Sequence, residues 1–292
     1  MKLMTSRFIL GTLMSMSAAC AQADGQGPAS PIPQVPELSG RIIIAGDSIA
    51  ADYPLERAPQ IGWGQVLDYY LPDDVEVLNL AVNGRSTKSY IDEGRWDALM
   101  DEVGAGDIVL ISFGHNDSRD DAPERYAAPE GAYRENLIRF ASDVQGAGGE
   151  PVFLSSAARR LWEGPAMVET HGLYRQNAFN AAIEAGVDYI DLAQLSLDYF
   201  ETLGRVATKD DFLWLTAEEV AERLPAYVER YPDGIEDNTH FTETGACGVA
   251  RIIAERLGNE FGLHGDTAIS DEPADEAGRP ADVLACAAVA WE

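Results

Sequence analysis

Five short apolar runs, separated by amphipathic stretches, constrain the fold more than any other feature of this sequence. They occupy 41–46 (RIIIAG), 75–81, 107–113, 151–155 and 187–192. Each is of strand length and mostly apolar rather than alternating, the pattern of a strand buried on both faces. Between and after them, 64–70, 96–103, 133–145, 174–185 and 195–203 carry apolar residues at helical spacing, and 217–227 and 245–261 continue the pattern. Strand alternating with helix predicts an α/β fold: a parallel sheet covered on both faces through right-handed crossovers. With 292 residues, 46% of them hydrophobic, the chain can bury one full-sized core.

In such folds ligands bind beyond the carboxyl ends of the strands. The first run ends in Gly46-Asp47-Ser48, the second in Asn83-Gly84-Arg85-Ser86, and the third in Gly114-His115-Asn116-Asp117. Late in the chain stands Asp237-Asn238-Thr239-His240, just before the last helical pattern. A serine hydroxyl needs a base to become a nucleophile, and histidine serves best near neutral pH. Of the four histidines, 115, 171, 240 and 264, His240 has a carboxylate three residues earlier. Asp237 is therefore expected to hold the Nδ1 proton and leave Nε2 free for Ser48. Gly84 and Ser48 offer backbone N–H groups and Asn116 a side-chain amide to an oxyanion, each donor contributing about 3 kcal/mol in the transition state. Each motif alone is a common turn or cap; their order at successive strand ends is what points to acyl-transfer chemistry.

That order resembles the four blocks of the SGNH (GDSL-type) hydrolases. GDSIAADY, GWGQVL, NLAVNGRSTKSYIDEGRW, GDIVLISFGHND and DNTHFTETGA are similar to the rhamnogalacturonan acetylesterase branch of the carbohydrate esterases. The resemblance runs from about Arg41 to Leu263 and implies a flavodoxin-like α/β/α sandwich around a five-stranded parallel sheet. It also implies cofactor-free and metal-free removal of O-acetyl groups from plant cell-wall polysaccharide through an acyl-serine intermediate. On that resemblance Ser48 is the nucleophile, Gly84 and Asn116 are oxyanion donors, and Asp237 and His240 are orienter and base. An esterase or lipase acting on lipid or other small esters, and a non-catalytic glycan-binding protein, are the alternatives. The polar run after Gly84 argues against an acyl pocket, and a pure binder does not need Ser48, Asp237 and His240 together.

Several residues are candidates for binding substrate. Asp47 and His115 flank the catalytic positions; Trp63 and Trp162, near strand-end loops, are expected to offer stacking faces to sugar rings, whereas Trp96 lies in a helical pattern and is expected in the core. Arg85, Lys88 and Arg160 either pair with a sugar carboxylate or neutralise neighbouring acids. Asp117, Asp120 and Asp121 lack the spacing of an EF-hand loop and read as a solvated loop. The formal charge of −28 disfavours nucleic acid and anionic membranes as partners; the partner that the resemblance implies is an acetylated polysaccharide or oligosaccharide.

Residues 1–23 have the basic start, apolar middle and small-residue end of an export signal, with Ala21-Gln22-Ala23 at the cleavage site. A lipoprotein box ending at Cys20 is the second reading, and lipidation there would anchor the protein to a membrane. Residues 24–40 form a Pro-, Gly- and Ser-rich linker, 41–263 the hydrolase domain, and 264–292 an acidic tail, mobile unless a bridge ties it back. Without Cys20, Cys247 and Cys286 remain in an oxidising compartment, either as a disulfide or as two buried thiols.

Overall fold

The computed structural model describes residues 40–265, 267, 269 and 271–291. The expected export signal, Cys20 and all but the last residue of the expected linker lie outside the described residues. Along the chain run β1 (Arg41–Gly46), β2 (Glu76–Asn79), α1 (Thr87–Asp92), α2 (Arg95–Met100), β3 (Ile108–Ser112), α3 (Arg134–Gly146) and β4 (Glu150–Leu154). There follow a small hairpin of β5 (Trp162–Glu163) and β6 (Ala166–Met167), then α4 (Leu173–Ala185), β7 (Asp188–Ile190) and α5 (Leu192–Ala207). Last come β8 (Phe212–Leu215), α6 (Ala217–Arg223), β9 (Ile235–Phe241), α7 (Glu243–Phe261) and α8 (Ala281–Val289).

The five expected strands form one parallel sheet in the order β2-β1-β3-β4-β7. Its register follows from alternation. Ile42 and Ile44 of β1 enter one core with Leu110, Val152 and residues of α5 and α7, while Ile43 and Ala45 enter the opposite core with Val109, Phe153 and residues of α2, α3 and α4. Both faces are therefore covered, which is why the central strands β1, β3 and β4 are almost wholly apolar, while the edge strands β2 and β7 carry Glu76, Asn79 and Asp188. The strand order reverses at β1, whose neighbours are β2 on one side and β3 on the other. A crevice opens at such a switch point, beyond the carboxyl end of the strand. Ser48 lies two residues past the end of β1.

Two features depart from the sequence expectation. Residues 64–70 form two 3-10 turns, Trp63–Val66 and Asp68–Tyr70, rather than a helix. The segment before α7 is an antiparallel β8–β9 ribbon enclosing α6. Of the two readings of the acidic tail the bridged one holds: α8 packs on α7, Cys286 is bridged to Cys247, Arg251 pairs with Asp282 of the tail, and Arg279 of the tail pairs with Asp211. Among the described residues no helix is long and apolar enough to cross a membrane.

Candidate active site

The turn that presents Ser48 is held by its neighbour. The Asp47 carbonyl accepts from the backbone N–H groups of Ala50 and Ala51 at 3.2 and 3.1 Å, and its carboxylate accepts from Ile49 N–H at 3.2 Å. The Tyr53 hydroxyl donates to the Ser48 carbonyl at 2.9 Å. Burial raises the Asp47 pKa to about 6, against the pull of the Ile49 N–H and of His240 and Arg159. The carboxylate thus braces the turn from beneath, without reaching solvent.

The imidazole arrives from β9. Phe241 opposes Phe212 and Glu236 opposes Trp214, so β9 advances five residues where β8 advances two. The surplus, Asp237–His240, bulges out of the ladder, a device that re-aims side chains. Inside the bulge Asp237 Oδ1 accepts from the N–H groups of Thr239 and His240 at 2.7 and 3.1 Å, and Oδ2 meets His240 Nδ1 at 2.7 Å. His240 Nε2 lies 2.9 Å from Ser48 Oγ. Burial pushes the Asp237 carboxyl up, but the hydrogen bond and charge of His240 with the two backbone donors hold it below the usual carboxylate range. Asp237 therefore stays ionised against the ring.

Gly84 has φ of +78°, a left-handed conformation that a side chain would strain. Asn116 Nδ2 donates to the carbonyl of Arg85 at 3.1 Å, which ties the end of β3 to the loop carrying Gly84. Among the described residues no acceptor takes the N–H of Ser48 or of Gly84. A serine hydroxyl on an imidazole on a carboxylate, with unclaimed N–H donors nearby, is an arrangement able to carry an acyl group. Among the described residues no cluster of acids, histidines and cysteines is arranged to hold a metal ion.

Residues 44–247 match the model of the GDSL-like lipase/acylhydrolase family. The chain belongs to this family. It is accordingly a carboxylic ester hydrolase of the SGNH type. It is 37% identical to the rhamnogalacturonan acetylesterase RhgT of Bacillus subtilis over 224 residues, 76% of this chain and 91% of that protein. It is 33% identical to a rhamnogalacturonan acetylesterase of Emericella nidulans over 188 residues, 57% of this chain and 73% of the other. The crystal structure of the Bacillus subtilis protein YxiM has the same fold, with a TM-score of 0.63 at 22% identity over 77% of this chain; the match spans 58% of that structure.

Unlike Ser48, Asp237 and His240, most of the residues expected to bind substrate are not left free to face it. Trp63 is not a cleft residue: it is 0% exposed in the main core, its N–H bonded to the Ile49 carbonyl, and a ring with no free face cannot stack on a sugar. Arg160 is also buried. Its guanidinium donates to Thr208 Oγ1, Asn238 Oδ1 and the Arg205 carbonyl, and its N–H to the Asn238 carbonyl, so it anchors the bulge of β9 from behind. Arg85 is paired with Glu93 and Lys88 with Asp92, the neutralising alternative. Trp162, half-buried in the β5–β6 hairpin, packs against the main core.

His115 is buried against His171, ring nitrogen to ring nitrogen at 3.4 Å, and His171 in turn meets Glu169 at 3.1 Å. Burial lowers the pKa of both rings, in His171 against the pull of Glu169, and so favours their neutral forms. Asp117 does not belong to a solvated loop, unlike its exposed neighbours Asp120 and Asp121. It is wholly buried and accepts from the Thr87 hydroxyl at 2.6 Å and the Thr87 N–H at 3.0 Å, while burial raises its pKa to about 7. It joins the start of α1 to the end of β3. Sequence reasoning passed over Arg57, Arg230 and Tyr231, which line the cavity beside His240; they stand in segments with no motif, Arg57 in a 3-10 turn after β1 and the other two in the β8–β9 excursion.

Proposed function

We propose that this esterase removes O-acetyl groups from pectic polysaccharide of the rhamnogalacturonan type, through an acetyl-serine intermediate on Ser48. The observation that carries the reading is the continuous Asp237–His240–Ser48 chain, with spacings of 2.7 and 2.9 Å. The substrate class is supported by the relatives named as rhamnogalacturonan acetylesterases.

Ser48 Oγ attacks the acetyl carbonyl carbon as its proton passes to His240 Nε2, and the carbonyl π electrons become the oxyanion. The N–H groups of Ser48 and Gly84 and the Asn116 amide receive that charge. As the bond from the carbonyl carbon to the sugar oxygen breaks, His240 returns the proton to the departing oxygen, leaving acetyl-Ser48 and a free sugar hydroxyl. Water then attacks the acetyl carbon, giving its proton to His240. Collapse of this second intermediate releases acetic acid and restores the serine hydroxyl with that proton. Asp237 stabilises the imidazolium in both halves and is not itself protonated. The basic–apolar–small pattern of residues 1–23 supports export to where such a polymer is met.

The test is acetate release from acetylated rhamnogalacturonan and acetylated xylan, alongside p-nitrophenyl esters of increasing chain length, by wild type and Ser48→Ala. Release from the pectic substrate, a preference for acetyl over long acyl chains, and loss of activity in Ser48→Ala are expected. Hydrolysis confined to long-chain esters overturns the substrate class, and a Ser48→Ala protein that retains most activity overturns the mechanism.

A further inference from the structure

A cavity of about 660 Å³ opens directly beside the catalytic imidazole. His240 and Asp237 form one wall, Asn83 of the oxyanion loop another, and Arg57, Arg230 and Tyr231 stand among the remaining lining residues. In a chain of formal charge −28, twelve of the nineteen arginines and lysines among the described residues form an ion pair with an acid. Arg85 is paired with Glu93, Arg119 with Asp121 and Arg175 with Asp191. Arg57 and Arg230 are two of the seven that form none among the described residues, although Glu236 lines the same cavity. Aromatic rings hold them instead. The Arg57 guanidinium lies 5.2 Å from the Tyr227 ring and 5.9 Å from the Tyr53 ring, and that of Arg230 lies 5.3 Å from the Tyr231 ring. Arg57 also donates to Gln60, a third cavity residue with an amide.

The same sign of charge continues along β8. Arg160 and Lys209 stand over the Trp214 ring, at 4.8 and 4.1 Å from its centre, and neither forms an ion pair among the described residues. The Trp214 indole N–H donates to the Asn238 side chain, itself a cavity residue. Unneutralised cations thus gather on one flank of the active site of an otherwise strongly acidic protein. Neutral sugars give no reason for that, since amides and one aromatic face suffice to bind them. A planar guanidinium fork matches a carboxylate.

Resting on the reading of Ser48 and His240 given above, we propose that this cavity is the subsite for a uronate ring of the polymer. Arg57 and Arg230 bind its carboxylate while the same polymer chain presents an acetyl group to Ser48. Long-range repulsion between the acidic protein and the polyanion is screened within about 8 Å at physiological salt, so this local pair decides recognition.

The test compares acetylated oligosaccharides rich in galacturonate with neutral acetylated xylo-oligosaccharides, for wild type, Arg57→Gln, Arg230→Gln and Arg230→Lys. Each Gln substitution is expected to lower the ratio of kcat/KM on the acidic substrate to that on the neutral one roughly tenfold, the loss of one charge-assisted hydrogen bond. The change should lie mainly in KM, and Arg230→Lys should restore part of it. Arg230 is exposed, so its variants report even if Arg57→Gln disturbs the Tyr53 packing beneath Ser48. Calorimetry of the Ser48→Ala protein with deacetylated galacturonate oligomers gives a readout independent of catalysis. Binding there should weaken with each Gln substitution and with added salt. An unchanged ratio with unchanged galacturonate binding overturns the proposal while leaving the esterase reading intact. Failure of the nucleophile assignment is recognised separately, by activity that persists in Ser48→Ala.

Discussion

Replacing Asp237 by Asn isolates the electrostatic part of the active site from its architecture. Asp237 accepts three hydrogen bonds: two from the N–H groups of Thr239 and His240 onto Oδ1, and one from the ring onto Oδ2. Asn keeps an oxygen for the backbone pair, so the bulge of β9 stays folded. Its NH2 group takes the place of Oδ2 and donates towards Nδ1, which moves the ring proton to Nε2. In that tautomer Nε2 has no lone pair for the Ser48 hydroxyl 2.9 Å away. The imidazolium also loses its counter-charge. At about 4 Å and an effective dielectric of about 20, that interaction is about 4 kcal/mol. With the two side chains 26% and 29% exposed, solvent reduces it to about 2 kcal/mol, or roughly 30-fold in rate. The tautomer shift adds further decades, for a total loss in kcat of about 10³ to 10⁴. The assay is kcat on p-nitrophenyl acetate and on acetylated oligosaccharide, with the melting temperature as a control for folding. A loss of less than tenfold, with melting unchanged, would refute the reasoning that Asp237 fixes the tautomer and supports the imidazolium.

Removing the Cys247–Cys286 bridge with a Cys286→Ser substitution should destabilise the fold by on the order of 4 kcal/mol, since it releases a loop spanning 39 residues; denaturant unfolding with and without reductant measures this. Gly84→Ala should lower kcat/KM on acetyl esters by at least tenfold while shifting stability by only about 1–2 kcal/mol, because a Cβ at φ of +78° is strained and moves the N–H of that turn. Asp117→Asn should stabilise the protein at pH 8 relative to pH 5 by about 2–4 kcal/mol. The sign follows from the raised pKa of about 7: the native state holds the Asp117 proton more tightly than the unfolded chain, so its contribution is full at low pH and lost as pH rises through 7. Thermal melts of both proteins across that range check it, and parallel pH profiles would contradict the buried, ionisable state of Asp117.

The central sheet was legible because a strand buried on both faces leaves a nearly unbroken apolar run, as in β1, β3 and β4, while the edge strands β2 and β7 fall within mixed runs that are still of strand length. Ser48 was legible for a related reason: a polar Gly-Asp-Ser directly after RIIIAG has to emerge at the carboxyl edge. Asp237 and His240 could be paired by their spacing, but not their delivery. The bulge that aims them depends on which residues of β8 and β9 face each other, and register between distant segments leaves no local trace. Trp63 was misplaced because a loop position suggests exposure, whereas here the loop folds under the nucleophile turn and its N–H satisfies the Ile49 carbonyl. Arg160 was misjudged likewise: a cation near a strand end looks available until Arg205, Thr208 and Asn238, contributed by α5, its C-terminal edge and β9, converge on it. Arg57 and Arg230 gave no signal, since whether a cation is paired depends on tertiary neighbours.

The most direct test of the account is covalent capture of the nucleophile. Wild-type protein treated with a fluorophosphonate and mapped by mass spectrometry should carry a single label on the peptide containing Ser48, with activity lost in proportion to labelling, and the Ser48→Ala protein should be neither labelled there nor active. A label on another residue that abolishes activity while Ser48 stays unmodified would contradict it.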